Sequence, residues 1–346
     1  MFVPYCTRER VARAASITAP AWLDAEIDEA IEQASRAVDR LVRRGDDARP
    51  AFAPWSGTIE FDWPSITNDS THRFWLGPHS LLTIAAVTSG GENITADCFG
   101  APPQYGAPYD ALDVDQSTSA VFTLDGGIGQ RSLSVNGVWC ATPIDEQSGW
   151  TLNTTIAADD TTAEILGGRT LGVGSLLRIG TERLIVTDRS WVTTADTVTL
   201  TASMADQSVA VSSGTAYARG DSLLLNAERM VVRDIAGNTL TVQRATDGSA
   251  LASHSSATVY ALRNCTLSRA ALGTTAASHS SGATVYVYRY PAIVEQLAVA
   301  YALDQRARET AGYGSGGEHS RSQDFNQESI EDRVLRAYGR VMFGSV

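Results

Sequence analysis

RATDGSALASHSS at residues 244–256 and RAALGTTAASHSS at 269–281 agree at 8 of 13 positions, and each runs on into ATVY, at 257–260 and 283–286. A second pair, GSLLRIGTERLIVTD at 174–188 and GDSLLLNAERMVVRD at 220–234, aligns at an offset of 46 residues. It repeats Glu182/Glu228, Arg183/Arg229 and Val186/Val232. Duplicated strand-turn-strand segments of this length predict stacked or duplicated hairpins that bury a shared face.

Outward from these repeats, about Ala51 to Tyr290 reads as short runs of Thr, Val, Ile, Tyr and Trp divided by Gly, Pro, Asn, Asp and Ser. Strands are expected at LLTIAAV (81–87), SLSVNGVW (132–139), TVTLT (197–201), TLTV (239–242) and ATVYVYR (283–289), several with the period-two alternation of half-buried β structure. No helix is expected within this region.

Helices flank it. From Pro20 to Gly45, apolar residues recur at helical steps (Leu23, Ile27, Ile31, Ala34, Val38, Leu41), with acids early and Arg36, Arg40, Arg43 and Arg44 late, as the helix dipole favours. A second helix is expected from Pro291 to about Ala311, then a GYGSGG linker at 312–317. A last helix over 326–343, capped near Asp324 or Asn326, carries Ile330, Val334, Ala337, Tyr338 and Val341 on one stripe. The expected class is therefore α+β. The N- and C-terminal helices (1–50 and 291–346) form a helical bundle, and a long inserted β region comprises an acidic antiparallel sandwich- or barrel-like domain (51–150) and repeated β modules (151–290).

Composition narrows the chemistry. Among 346 residues, all 27 basic side chains are arginine, against 39 acidic ones, for a net charge of −12. Without lysine, no Walker-type phosphate loop, kinase-like catalytic lysine, Schiff-base aldolase or pyridoxal phosphate enzyme can be built. The negative charge sits mostly in residues 50–150, which hold 2 Arg against 11 acids, so this surface should repel polyanions. Cys6, Cys98, Cys140 and Cys265 are too far apart for a metal-ligand pattern and read as reduced core thiols. The N-terminus shows no signal-peptide apolar stretch and no run suggests a membrane span.

The candidate sites favour structural readings. GYGSGG follows a helix and lacks a βαβ context, so it reads as a linker. His254 and His279 recur within the repeat and read as polar turns, not as two ligands of one metal. Asp110, Asp113 and Asp115 lack the glycine and distal glutamate of a calcium loop. Glu182 and Glu228 could be offered as a glycosidase acid and nucleophile, but are expected to pair with the adjacent Arg183 and Arg229. Trp55, Trp63, Trp75, Trp139 and Trp150 read as β-core anchors over a carbohydrate-binding face. The C-terminal Tyr338, Val341, Met342 and Phe343 are either a frayed tail or a docking peptide.

A non-catalytic, repeat-bearing β protein with helical ends suits a virus-particle subunit. FDWP (61–64), RFWLGPHSLLTIAAVTSGGENIT (73–95), APPQYGAPYDALDVD (101–115) and SLSVNGVW (132–139) resemble the β domain of tailed-bacteriophage head-to-tail connector (adaptor, or head completion) proteins. The 174–189 and 220–248 segments look like a module recurrent in such virion proteins, and the flanking helices are similar to that family's bundle. The two β modules make this chain longer than the usual connector subunit.

The resemblance implies a non-enzymatic protein without cofactors or metals, made in the bacterial host cytoplasm and placed at the head-to-tail interface of the virion. It implies a homo-oligomeric ring of about twelve subunits beneath the portal protein. Such a ring receives a tail-side completion or terminator protein and gives a channel for transient contact with viral DNA, without membrane contact. Asp62, Asp97, Asp113 and Asp125 are then expected to face the channel or its exit, and Leu335, Tyr338, Met342 and Phe343 to make assembly contacts. The competing readings are a tail-tip, baseplate or decoration protein and, more distantly, a glycan-degrading β enzyme using Glu182 and Glu228.

Overall fold

The structure, a computed structural model, describes residues 2–15, 24–42, 49–65, 69–167, 171–311 and 319–339, with the side chains of 308–311 and 319–326 excepted. The fold is mixed α+β and mostly sheet. Among the described residues, four α-helices, α1 (Arg8–Ala14), α2 (Asp24–Val42), α3 (Ala292–Ala311) and α4 (His319–Tyr338), lie before and after the strands.

The sequence pattern missed α1, which begins where the Thr7 side chain accepts the Arg10 amide at 3.2 Å. Within α2 the expected stripe is buried at Ile27, Ile31, Ala34 and Val38. Pro20, Leu23 and Gly45, like the 312–317 linker, lie outside the described residues. The last helix starts at His319, well before the expected cap at Asp324 or Asn326. The segment from His319 to Ser329 is polar but has no glycine or proline to stop a helix once begun. Val11, the α2 stripe, Val294, Leu297, Ala298 and Ala302 of α3 and Val334 of α4 share one hydrophobic cluster with Tyr5 and Phe52.

The acidic region holds β1 (Trp55–Phe61), β2 (Arg73–Trp75), β3 (Leu81–Ser89), β4 (Glu92–Asn93), β5 (Cys98–Ala101), β6 (Ala111–Val114) and β7 (Leu133–Trp139). They form two antiparallel sheets, ordered β1-β7-β3-β4 and β2-β6-β5. Ile59, Val87, Val135 and Trp139 of the first meet Phe74, Leu112 and Val114 of the second in one core. Trp63 and Trp139 are buried as expected, and Trp55 stacks on Trp139 at 5.8 Å. Trp75 departs from the core reading and is half exposed, because its strand turns it away from Phe74.

The remaining strands are β8 (Glu146–Leu152), β9 (Thr162–Leu166), β10 (Leu176–Ile179), β11 (Glu182–Leu200), β12 (Ser208–Ala210), β13 (Ser222–Leu225), β14 (Glu228–Ala236), β15 (Thr239–Gln243), β16 (His254–Ser268) and β17 (Thr284–Tyr288). Trp150 belongs to this group: β8 pairs with β17 and β9, and the indole sits in their core. The pairings β8-β17-β10-β11-β16-β9-β8 return to their starting strand, so six antiparallel strands close on themselves. We call this the outer module.

A second module is nested inside the first. β13 pairs with β16 through Leu223↔Ala261 and Leu225↔Val259, as β10 pairs with β17 through Leu177↔Val287 and Ile179↔Val285. β14 pairs with β15 through Val232↔Val242, with a bulge before Asp234↔Thr241. β11 pairs with β16 through Val186↔Leu267, with the same bulge before Asp188↔Thr266. The inserted module ends its β14-β15 hairpin with Ala236↔Thr239 around Gly237 and Asn238. Gly237 takes φ 59° at the first turn position, where a two-residue hairpin loop favours glycine. The corresponding pair of the outer module is Ser190↔Asn264. Residues 191–263 therefore replace the hairpin tip of the outer module.

The modules have separate cores, centred on Leu184, Ile165 and Cys265 in the outer one and on Met230, Leu240 and Val259 in the inserted one. The outer module also meets the acidic region. Arg183 Nη1 donates to Ser56 Oγ at 3.2 Å, and a Cβ on Gly273 would lie 2.0 Å from the Ser56 carbonyl oxygen.

Candidate functional site

Each module is organised around one buried carboxylate. In the inserted module, Glu228 Oε1 accepts Arg244 Nε at 2.7 Å and the Ala245 amide at 3.0 Å. Its Oε2 accepts Arg244 Nη2 and His254 Nε2, both at 2.8 Å, and the Ala252 amide at 3.1 Å. Arg244 spends its other hydrogens on the carbonyls of Thr201, Asp206 and Ala252.

The outer module repeats this arrangement. Glu182 accepts Arg269 at 2.8 Å on both oxygens, the amides of Ala270 and Ala277, and His279 Nε2 at 2.8 Å. Arg269 donates to Ala157, Asp160 and Ala277. Ala245 and Ala270 adopt φ of 50° and 52°, the turn conformation that aims each amide at its carboxylate.

The expected pairing with Arg183 and Arg229 is thus corrected. Both neighbours of the glutamates on β11 and β14 point elsewhere, since successive strand residues face opposite sides. The partners come from the other duplication, 16 residues after Glu228 and 87 after Glu182. The histidines likewise serve their own glutamates. His254 Nε2 lies 2.8 Å from Glu228 Oε2, and its Nδ1 lies 3.3 Å from Asn226 Nδ2. The outer module has Gly180 at the position of Asn226.

Chemically, these carboxylates are stays. Burial alone would raise their pKa, but the hydrogen bonds from arginine, histidine and backbone amides outweigh it and hold both at about 2. A glycosidase needs one carboxylic acid that remains protonated near neutral pH, and each of these has every oxygen occupied inside a different module. Because the folded pKa lies below the ordinary 4.5, the stabilisation is complete above about pH 4.5 and is lost as pH falls toward 2. Thermal unfolding followed from pH 7 to pH 2 should show that loss, and an E182Q/E228Q variant should show a shallower acid slope. An unchanged slope would contradict the assignment.

The remaining acidic candidates have separate partners. Asp62 accepts the Arg131 amide at 2.8 Å. Asp97 closes a 3₁₀ turn and is half-buried, and Asp125 is exposed in the turn that pairs with Ile128. Asp113 is bound fork to fork by Arg73 at 2.6 and 2.5 Å, so it adds little net charge. Asp110 accepts Ser80 Oγ, and Asp115 caps the Ser117 amide.

Of the expected assembly contacts, Leu335 is 39% exposed on α4. Tyr338 instead turns inward, edge-on to Phe52 at 5.2 Å. Its spacing of four from Val334 puts it on the buried stripe. Met342 and Phe343 lie outside the described residues.

No group of three or more His, Cys, Asp or Glu side chains among the described residues is placed to hold a metal ion. The four cysteines are free thiols, of which Cys98 is only half-buried. No helix among the described residues is long and apolar enough to cross a membrane. The chain matches no known protein family, no characterised protein and no solved structure.

Proposed function

We propose that this chain is a structural subunit of a tailed-bacteriophage particle, the head-to-tail connector (adaptor). In this reading its helices form a bundle that closes a homo-oligomeric ring beneath the portal and offers a docking surface to tail-side proteins. The observation that carries it is the shared core of helices drawn from both chain ends, with α4 contributing Val334 and leaving Leu335 and most of its other described side chains exposed. A helix that buries one narrow stripe at home has a flank to give to a neighbour.

The chemistry supports the same reading, because the two carboxylate–arginine–histidine clusters are consumed by folding. Along the DNA path, a wall carrying Asp62, Asp97 and Asp125 would repel phosphates and let the genome slide. Asp113, tied to Arg73, would contribute least. A tail-tip, baseplate or decoration role is the second reading, and insertion of a whole module at a hairpin tip favours it.

Leu335→Asp tests the docking flank without touching the core. The variant should keep its unfolding midpoint and lose ring formation or portal binding at least tenfold. Portal binding equal to that of the parent chain would overturn the placement of the flank.

A further inference from the structure

We propose that the outer face of the β2-β6-β5 sheet binds a neutral saccharide. In register across the strands, Phe99, Asp113 and Arg73 form one row and Ala101, Ala111 and Trp75 the next. The opposite face carries the buried Phe74 and Leu112; on this side Arg73, Trp75 and Phe99 reach solvent, Asp113 is partly buried, and Ala101 and Ala111 are covered. Trp75 is 50% exposed and Phe99 41%, with the Arg73–Asp113 ion pair beside them on the same sheet. Two strand spacings separate the strands of the two aromatics by about 10 Å, with the planar Arg73–Asp113 ion pair in the row of Phe99. Around them opens a groove of about 650 Å³, walled also by Asp69, Ser70, His72 and Gln116, a size common for small-molecule sites.

The polar groups decide the ligand class. Arg73 spends Nε and one Nη2 hydrogen on Asp113, which leaves its Nη1 hydrogens as donors and the second lone pairs of Asp113 as acceptors. Adjacent donors and acceptors in one plane match vicinal hydroxyls, each of which both gives and takes a hydrogen bond. The guanidinium lies over the Trp75 ring at 5.9 Å, so a sugar held by the ion pair is within reach of the half-exposed indole. His72 Nδ1, shielded in the same wall, has no hydrogen-bond partner among the described residues. A polyanionic ligand is disfavoured by the 2 Arg against 11 acids of this region. An apolar peptide would bury the ion pair without satisfying it. The inference does not rest on the connector reading and holds equally for a tail or decoration protein.

The test is a tryptophan-fluorescence titration of the full chain with maltohexaose, cellohexaose, mannohexaose and chitohexaose. At least one should give a saturable change, and Trp75→Ala should weaken that affinity tenfold or more at an unchanged unfolding midpoint. Asp113→Asn, which keeps the shape and halves the acceptors, should weaken it as well. Absence of saturable binding to all four sugars would overturn the proposal. So would an unaltered affinity in Trp75→Ala, or a Trp75→Ala change seen only in sedimentation of the protein with itself, which would make the face a protein contact.

Discussion

Replacing Arg244 with methionine is expected to unfold the inserted module while the helices, the acidic region and the outer module stay folded. The substitution strands the fully buried Glu228 carboxylate with two backbone amides and a histidine. It also removes the donor from three carbonyls, those of Thr201, Asp206 and Ala252. Taking one partner from a buried ion pair costs about 3–5 kcal/mol, a large part of what a module of this size can hold. Hydrogen exchange read segment by segment should show protection lost in β13, β14 and β15 and kept in α2 and α3. Arg269→Met in the outer module should cost less, because Arg269 keeps 8% of its side chain in contact with water and can be replaced there in part by solvent. Equal, undiminished protection of the inserted module in the Arg244 variant would show that the cluster is not its keystone.

A second prediction is a large excision that should do little harm. Cutting out residues 191–263 and joining Ser190 to Asn264 through Gly-Asn should leave the outer module folded. Ser190 and Asn264 are already paired across β11 and β16, as Ala236 and Thr239 are paired around Gly237 and Asn238. The outer core keeps its main members, including Leu184, Val186, Ile165 and Cys265. The losses are local, such as the bond from Arg189 Nη2 to the Leu262 carbonyl at 2.6 Å. The shortened chain should unfold in a cooperative transition within about 10 °C of the parent, since single contacts of this kind are worth about 1 kcal/mol. Loss of protection across β10 and β17 would contradict nesting and make the two modules one cooperative unit.

The order of the duplicated segments already carried this architecture. Copies of the Glu-Arg hairpin come first for the outer module, at 174–188, then for the inserted one, at 220–234. Copies of the Arg-Ala loop come in the reverse order, at 244–256 and 269–281. With A for the outer module and B for the inserted one, the order is A-B-B-A, which is what an insertion leaves behind, whereas a tandem array runs A-A-B-B. Read one at a time, the two duplications gave hairpins and turns but not the partnership between Glu228 and Arg244. Local proximity suggested Arg229, and only the pleat shows that residues adjacent on a strand face opposite ways.

Elsewhere, periodicity was enough. The Ile27, Ile31, Ala34 and Val38 stripe and the strands around LLTIAAV and SLSVNGVW are legible because burial imposes a period on each. The aromatic face was not legible: Trp75 looks like the other tryptophans until the register across β2 sets it beside Arg73 and opposite Phe74. The α4 start was missed for a related reason. A polar helix held at its far end by Ile330, Val334 and Tyr338 has no apolar signature in its first turns.

The proposed assembly role is tested most directly by measuring the native mass of the purified full chain, alone and mixed with a portal protein encoded beside it. The connector reading predicts a closed ring, in the mixture if not alone, at about twelve times 36.8 kDa for this component. A chain that stays at 36.8 kDa in both samples would contradict it.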